Sequence, residues 1–401
     1  MLCQFTFQNF KSYKEETVFD FQAAALPEFK EHLITSEKGG SPLLPVSVVY
    51  GPNAGGKSNL LKALSALICT VVKPVHELKK SRNWFIAQQS ISPAPYAFAQ
   101  ECAAEPTRFE VYFRTQENEF RYVLALLDDA VASEGLYRRS IGGKRTAMIF
   151  ERAGAKIILG ASIRSPGVNT GVNPKLPYLS FLAINYDLPV IAEAQGWFES
   201  CIIRNYANAV SDHKIFIPKE EKRKAEILRL LNDMGIEISD FRFDPDEKQF
   251  FLQRTIGGQV YELDFIEESE GTKKLCSVLP LLQIALAEGR LFIADELDAK
   301  LHPKLLRYII LLFKNKEINR NGAQLLFTSH DLSNMKNDLF RRDEIWFAAC
   351  NEKRESELYS LYDIRREDHQ RVKNTAAYDK QYLEGRYGAD PYLKNMLNWG
   401  E

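Results

Sequence analysis

Val46-Ser-Val-Val-Tyr50 followed by Gly51-Pro-Asn-Ala-Gly-Gly-Lys-Ser58 decides the fold. A β-branched apolar run that opens into a glycine-rich stretch closed by Lys-Ser is a strand handing over to a phosphate-binding turn. Small residues let the backbone curl until its N–H groups face inward around anionic oxygens. Asn53, Ala54, Gly55 and Gly56 form that cradle, and Asn59 follows it. Lys57 places a cation on the outer phosphates, and Ser58 offers a hydroxyl to Mg2+. The segment from Lys57 to Thr70 reads as a helix whose positive N-terminal end points at the anion. The pattern therefore predicts binding of a nucleoside triphosphate.

A phosphate loop needs a metal ligand, a base and a trigger from elsewhere in the chain. Leu291-Phe-Ile-Ala-Asp-Glu296 is an apolar strand ending in adjacent carboxylates. Neighbours on a strand point to opposite sides, so Asp295 is expected to address Mg2+ and Glu296 the attacking water. Two acids solvating a strand end is the bland alternative. Leu325-Leu-Phe-Thr-Ser-His-Asp331 is a second buried strand with a polar end. His330 there could bond the γ-phosphate, hold the base, or serve the structure alone.

Phosphate loop, Asp-Glu pair and histidine, in this order, resemble the ABC-type ATPases. Glu268-Ser-Glu-Gly-Thr272 looks like a reduced form of that family's signature loop, with Ser269 and Gly271 at the serine and second-glycine positions. The resemblance implies that these residues clamp the γ-phosphate of an opposing subunit, giving an ATP-sandwiched dimer. A plain N-cap is the rival reading of Ser269. Asp298 falls at the family's D-loop, which contacts the other subunit. Asn9-Phe-Lys-Ser-Tyr13 resembles the opening strand of SMC- and RecF-like ATPases. The stretches 295–303, 324–330, 341–347 and 382–389 look like the stand-alone AAA15/AAA21 ATPases, a group that includes AbiL- and Rlo-type abortive-infection proteins of bacterial anti-phage defence. That likeness implies ATP and Mg2+ as cofactors and slow, regulatory hydrolysis. It also implies a separate effector protein, often nuclease-like, as partner. The alternative is a DNA-repair ATPase that binds DNA directly. The signature lacks its first glycine and its glutamine, and the glutamine-loop candidates Gln88, Gln89 and Gln100 stand in no telling context.

Composition is compatible with this reading. The 401 residues carry a net charge of −1, so nucleic acid contact would need a local basic patch. The six cysteines are scattered without a CxxC pair, as in a reducing, cytoplasmic setting, and no signal or membrane-spanning pattern is read. The expected fold class is α/β, an ABC-type P-loop NTPase with an antiparallel β subdomain and a helical insertion. Residues 1–72 are expected to form the first half of the ATPase core. A connection and antiparallel sheet are expected over 73–190, and a lid or partner-binding insertion over 191–265, helical from Ile191 to Tyr206. The second half of the core is placed at 266–370 and an aromatic tail at 371–401. Phe10 and Tyr13 could stack on adenine or belong to the core. Tyr378, Tyr382, Tyr387, Tyr392 and Trp399 could dock a partner or pack back on their own domain.

Overall fold

The computed structural model describes residues 1–78, 93–206, 220–244, 246, 249–365 and 369–389. The phosphate-loop strand β3 (Val46–Tyr50) is buried along its whole length, as a strand covered on both faces must be. It lies inside a six-stranded sheet built with β9 (Ile202–Asn205), β13 (Leu291–Asp295), β14 (Gln324–Thr328), β15 (Ile345–Cys350) and β16 (Ser356–Ser360), in the order β16-β15-β3-β14-β13-β9. All neighbours run parallel except the edge pair β15–β16. Ala294, Phe327 and Val48 lie abreast, so the chain leaves β3, β13 and β14 at one rim of the sheet. That rim is where open α/β sheets bind ligands.

A second, seven-stranded antiparallel sheet has the order β2-β1-β4-β5-β6-β7-β8. It joins the N-terminal hairpin, β1 (Leu2–Gln8) and β2 (Thr17–Asp20), to β4 (Thr107–Arg114), β5 (Asn118–Leu127), β6 (Ala130–Ser140), β7 (Ala147–Ala153) and β8 (Lys156–Leu159). Between the sheets run α1 (Lys57–Leu78), α2 (Tyr178–Asn185) and α3 (Pro189–Ser200). Their apolar residues merge with Phe5, Val111, Phe113 and Leu326 into a single core. Length and composition would let α1 cross a membrane, but much of it is buried in this core. The other face of the parallel sheet is covered by α5 (Glu270–Glu288) and α6 (Pro303–Lys314). Helix α4 (Glu221–Asp233) and the short sheet β10 (Asp240–Asp244), β11 (Gln249–Ile256), β12 (Gln259–Asp264) pack outside them. The architecture is α/β: a largely parallel sheet bearing the phosphate loop, with a separate antiparallel sheet and an added helical segment.

Two expectations change. The first helix continues through Pro74 to Leu78, where an irregular connection was expected from residue 73. Val71, Val72 and Val75 are buried along it, and that burial offsets a proline cost of ~3 kcal/mol. The helix expected over 191–206 stops at Ser200, and Ile202–Asn205 pairs with β13. A short apolar run with two isoleucines fits either period, and the open edge of β13 settles the choice. A piece of the expected insertion is thus an edge strand of the six-stranded sheet. Tyr378, in α7 (Tyr378–Leu383), is buried together with Tyr382 and Tyr387, and the last two rings lie on Phe347, so this part of the tail packs inward. Tyr392 and Trp399 lie outside the described residues.

Candidate functional site

The phosphate loop rests directly on β15 and β16. Gly51 has φ +140°, and a Cβ there would sit 2.1 Å from the Ala348 carbonyl oxygen. A Cβ on Gly55 would meet the same oxygen at 2.4 Å. Both positions admit only glycine, because a backbone passes where a side chain would begin. Ala54, between them, takes a left-handed φ of +64°, and its carbonyl accepts the Cys350 thiol at 3.3 Å. These kinks aim the loop at the start of α1, whose first N–H groups have no partner within the helix.

Lys57 is only 6% exposed, and its ammonium donates to the carbonyls of Gly51 (2.8 Å) and Pro52 (2.9 Å). Burial holds its pKa below the ordinary lysine value, with Asp295 pulling the other way. The Ser58 hydroxyl donates to Asp295 Oδ1 at 3.1 Å across 237 residues of sequence. Thr328 Oγ1 donates to the same oxygen at 2.7 Å and accepts the Glu296 N–H at 2.8 Å. Asn205, at the end of β9, donates to Asp295 Oδ2 at 3.4 Å. The structure therefore brings Lys57, Ser58, Asp295 and Glu296 to one rim.

Glu296 does not sit on the strand. β13 ends at Asp295, and Glu296 has φ +55°. The strand alternation expected to part the two carboxylates therefore does not extend to Glu296, which lies in a left-handed turn. That turn is held by Thr328 on its N–H and by Lys274 Nζ on its carbonyl, at 2.7 Å. Lys274 is buried in α5, 4.8 Å over the Tyr206 ring, and burial pushes its pKa down to about 8.

His330 is exposed just beyond β14, and its backbone N–H donates to Asp298 Oδ2 at 2.8 Å. The Asp331 N–H donates to the same oxygen at 3.0 Å. Asp298, expected at a subunit contact, thus ties the loop after β13 to the loop after β14 within one chain. Its Oδ1 is buried and, among the described residues, has no hydrogen-bond partner. Ser269 caps α5, its hydroxyl accepting the Thr272 N–H at 3.1 Å. Gly271 lies against the Lys300 carbonyl, which its missing Cβ would approach to 3.2 Å. Glu270 pairs with Lys273 and Lys300, both at 2.6 Å, and these bonds hold its carboxyl down to about 2. Among the described residues, no hydrogen bond joins 269–271 to the phosphate loop.

Other candidates resolve differently. Phe10 and Tyr13 are fully buried, and Tyr13 Oη donates to the Gly56 carbonyl at 3.3 Å, so neither ring is open to adenine. Their aromatic neighbours Phe7 and Phe109 make them core. The Asn59 amide is engaged by Ser12 Oγ at 2.8 Å, which also accepts from Ser356 Oγ at 2.8 Å. Asn53 is exposed on the loop, and Gln100 is exposed in a short 3-10 turn. Gln88 and Gln89 lie outside the described residues. Sequence reasoning missed Thr328, Lys274, Asn205 and Ser12. Only Thr328 carried a signal, as a polar residue closing an apolar strand beside His330.

Residues 46–336 match the model of a family described as an AAA domain, putative AbiEii toxin, type IV TA system. No curated protein matches the chain. Among solved structures, an Smc head bound to the C-winged helix domain of ScpA is similar at 13% identity, covering 90% of this chain and 97% of that one, with a TM-score of 0.44. A dimeric ATP-binding cassette with ADP and Pi is similar at 12% identity, covering 90% and 100%, with a TM-score of 0.31. The recombination mediator RecF with ATP is similar at 12% identity, covering 89% and 97%, with a TM-score of 0.33.

Proposed function

The chain belongs to this AAA-domain family, and on that premise we propose that it is an ATP-hydrolysing switch whose closed state is a nucleotide-sandwiched dimer. The reading rests on the convergence of Ser58, Asp295, Thr328 and Glu296, drawn from three strand ends, beside a lysine-bearing phosphate loop. The site suits its ligands chemically. Mg2+ prefers oxygen donors, and Ser58 and Asp295 offer a hydroxyl and a carboxylate that already share a hydrogen bond. The ion supplies neutralisation of phosphate charge when bound. Lys57 exchanges one of its two loop carbonyls for a phosphate oxygen. Glu296, held off the strand by its left-handed turn, accepts a proton from water and orients it. His330 stands exposed where it can report the γ-phosphate.

Ser269 and Gly271 complete the site only if a second copy presents them. Their helix N-terminus makes no hydrogen bond to its own phosphate loop among the described residues. The biological setting proposed is a bacterial anti-phage defence system in which this chain senses and a separate, nuclease-like effector acts. An SMC/RecF-like ATPase that binds DNA directly is the competing outcome. The test begins with Glu296→Gln. It should bind ATP, accumulate dimer in light scattering, and lose at least ~100-fold in turnover. Wild-type turnover in that variant would refute the assignment. Mass spectrometry of proteins held by tagged Glu296→Gln from its native host then separates the settings, since capture of DNA with DNA-stimulated hydrolysis would favour direct DNA binding.

A further inference from the structure

The turn that carries Glu296 is gripped from within α5, the helix that Ser269 caps. Glu296 must leave strand geometry to present its carboxylate, and a left-handed φ in a residue with a Cβ is disfavoured unless its surroundings impose it. Two contacts impose it here. Thr328 Oγ1 takes the N–H from the side of β14. Lys274 Nζ takes the carbonyl from the side of α5, at 2.7 Å. Lys274 is wholly buried, and the Tyr206 ring lies beneath the ammonium at 4.8 Å. A buried ammonium is expensive, and a donor placed there for packing alone would be better replaced by methionine.

The position of Lys274 in its helix gives the contact a direction. It stands one turn beyond Ser269, which caps the same helix, and beside Lys273, which reaches back to the Ile266 carbonyl at 3.0 Å and to Glu270. Glu270 in turn holds Lys300, in the loop that follows Glu296. The helix start and the loop from Glu296 to Lys300 are therefore joined at two points, Lys274 to the carbonyl of Glu296 and Glu270 to Lys300. The N-terminal end of α5 and the peptide that carries Glu296 thus share these two contacts.

We propose that Lys274 is a positioning residue that couples the Ser269–Gly271 end of α5 to the catalytic setting of Glu296, so that engagement of that end by a second subunit's nucleotide tunes hydrolysis in the chain's own site. The proposal rests on the reading of Glu296 as the water-orienting acid and adds a residue whose hydrogen bond goes to the Glu296 backbone rather than to the phosphate loop. It separates binding from turnover, because Lys274 makes none of the contacts that hold phosphate.

The experiment measures ATP affinity with a fluorescent ATP analogue, and turnover at saturating MgATP, for Lys274→Met, Lys274→Gln and Lys274→Arg. Turnover should fall ~10- to 100-fold in the methionine and glutamine variants, with affinity within ~3-fold of wild type, as expected when a charge-assisted bond that orients a reacting group is lost. Arginine, which keeps a cationic donor, should recover part of the loss. In a Glu296→Gln background, Lys274→Met should subtract nothing further, because the two act as a unit. If Lys274→Met and Lys274→Gln turn over like wild type while Glu296→Gln is inactive, the coupling is wrong and the assignment of Glu296 stands. If Glu296→Gln is itself active, the underlying reading fails first. Parallel loss of affinity, turnover and melting temperature in both Lys274→Met and Lys274→Gln would overturn the proposal by making Lys274 a structural residue.

Discussion

Replacing Lys57 by Met tests the phosphate loop more sharply than a loss of binding alone, because the structure sets a limit on what the residue can contribute. A unit charge ~4 Å from a phosphate charge is worth ~4 kcal/mol at an effective dielectric of ~20. Without nucleotide, however, the ammonium is not idle in solvent. It donates to Gly51 and Pro52 at 2.8 and 2.9 Å and is almost fully buried. Giving up one such bond costs ~1.5 kcal/mol. The net contribution is then ~2.5 kcal/mol, or roughly 50- to 100-fold in Kd. Titration of a fluorescent ATP analogue into wild type and Lys57→Met measures it. Hydrogen exchange of the 51–58 amides without nucleotide is the companion readout and should speed up in the variant, since two carbonyls lose their donor. A loss under ~5-fold would mean that Lys57 does not reach phosphate, and one above ~1000-fold would mean that its resting bonds oppose nothing. Either result refutes the reasoning.

Gly51→Ala should abolish tight nucleotide binding and lower stability by on the order of 2 kcal/mol or more, because its Cβ would lie 2.1 Å from the Ala348 oxygen at a φ of +140°. A melting scan with and without MgATP reads both effects, and a normal nucleotide-induced shift would contradict the close packing of loop on strand. Lys314 and Glu344 are both fully buried and joined at 2.5 Å. Lys314→Met should therefore cost ~3–5 kcal/mol in urea unfolding, by stranding the carboxylate. Adding Glu344→Gln should restore more than half, and equal losses in single and double variants would deny the coupling. Glu270 has a folded pKa of about 2 against 4.5 ordinarily, so its stabilising contribution is present above 4.5 and is lost as pH falls through about 2. The small difference in melting temperature between wild type and Glu270→Gln should accordingly shrink with acidification and vanish below pH ~2. A difference that grows on acidification would reverse the sign of the argument.

Much of the ATPase core was legible because its information is local. The run Val46–Tyr50, the glycines after it and the paired carboxylates after Ile293 each announce themselves within a dozen residues. What stayed hidden is whatever depends on a partner far away in sequence. Ile202–Asn205 becomes a strand because β13 has an open edge 90 residues further on, with Asn205 reaching Asp295 across that separation. The fate of Asn59 was unreadable because Ser12, whose hydroxyl engages it, is 47 residues away. Phe10 and Tyr13 read as core more readily than as platforms for a base, and the contacts with Phe7 and Phe109 that make them core come from the fold.

The most consequential misreading concerns Glu296, which was expected to be set by strand alternation and lies in a left-handed turn beyond the strand. Alternation along a strand would separate adjacent carboxylates with no further help, and would survive any mutation elsewhere. A left-handed turn does so only while something imposes it, here Thr328 on the N–H and Lys274 on the carbonyl. The two mechanisms make opposite predictions for Thr328→Val, which keeps the shape of the side chain but removes both of its hydrogen bonds. Under alternation the carboxylates would be undisturbed and turnover would stay near wild type. Under the turn, Asp295 loses the 2.7 Å donor that orients it and Glu296 loses the acceptor for its N–H, so turnover should fall by at least ~10-fold with the fold intact. Single-turnover kinetics with MgATP, beside a melting curve that matches wild type, decides between them, and unchanged kinetics would return the separation of the carboxylates to strand geometry.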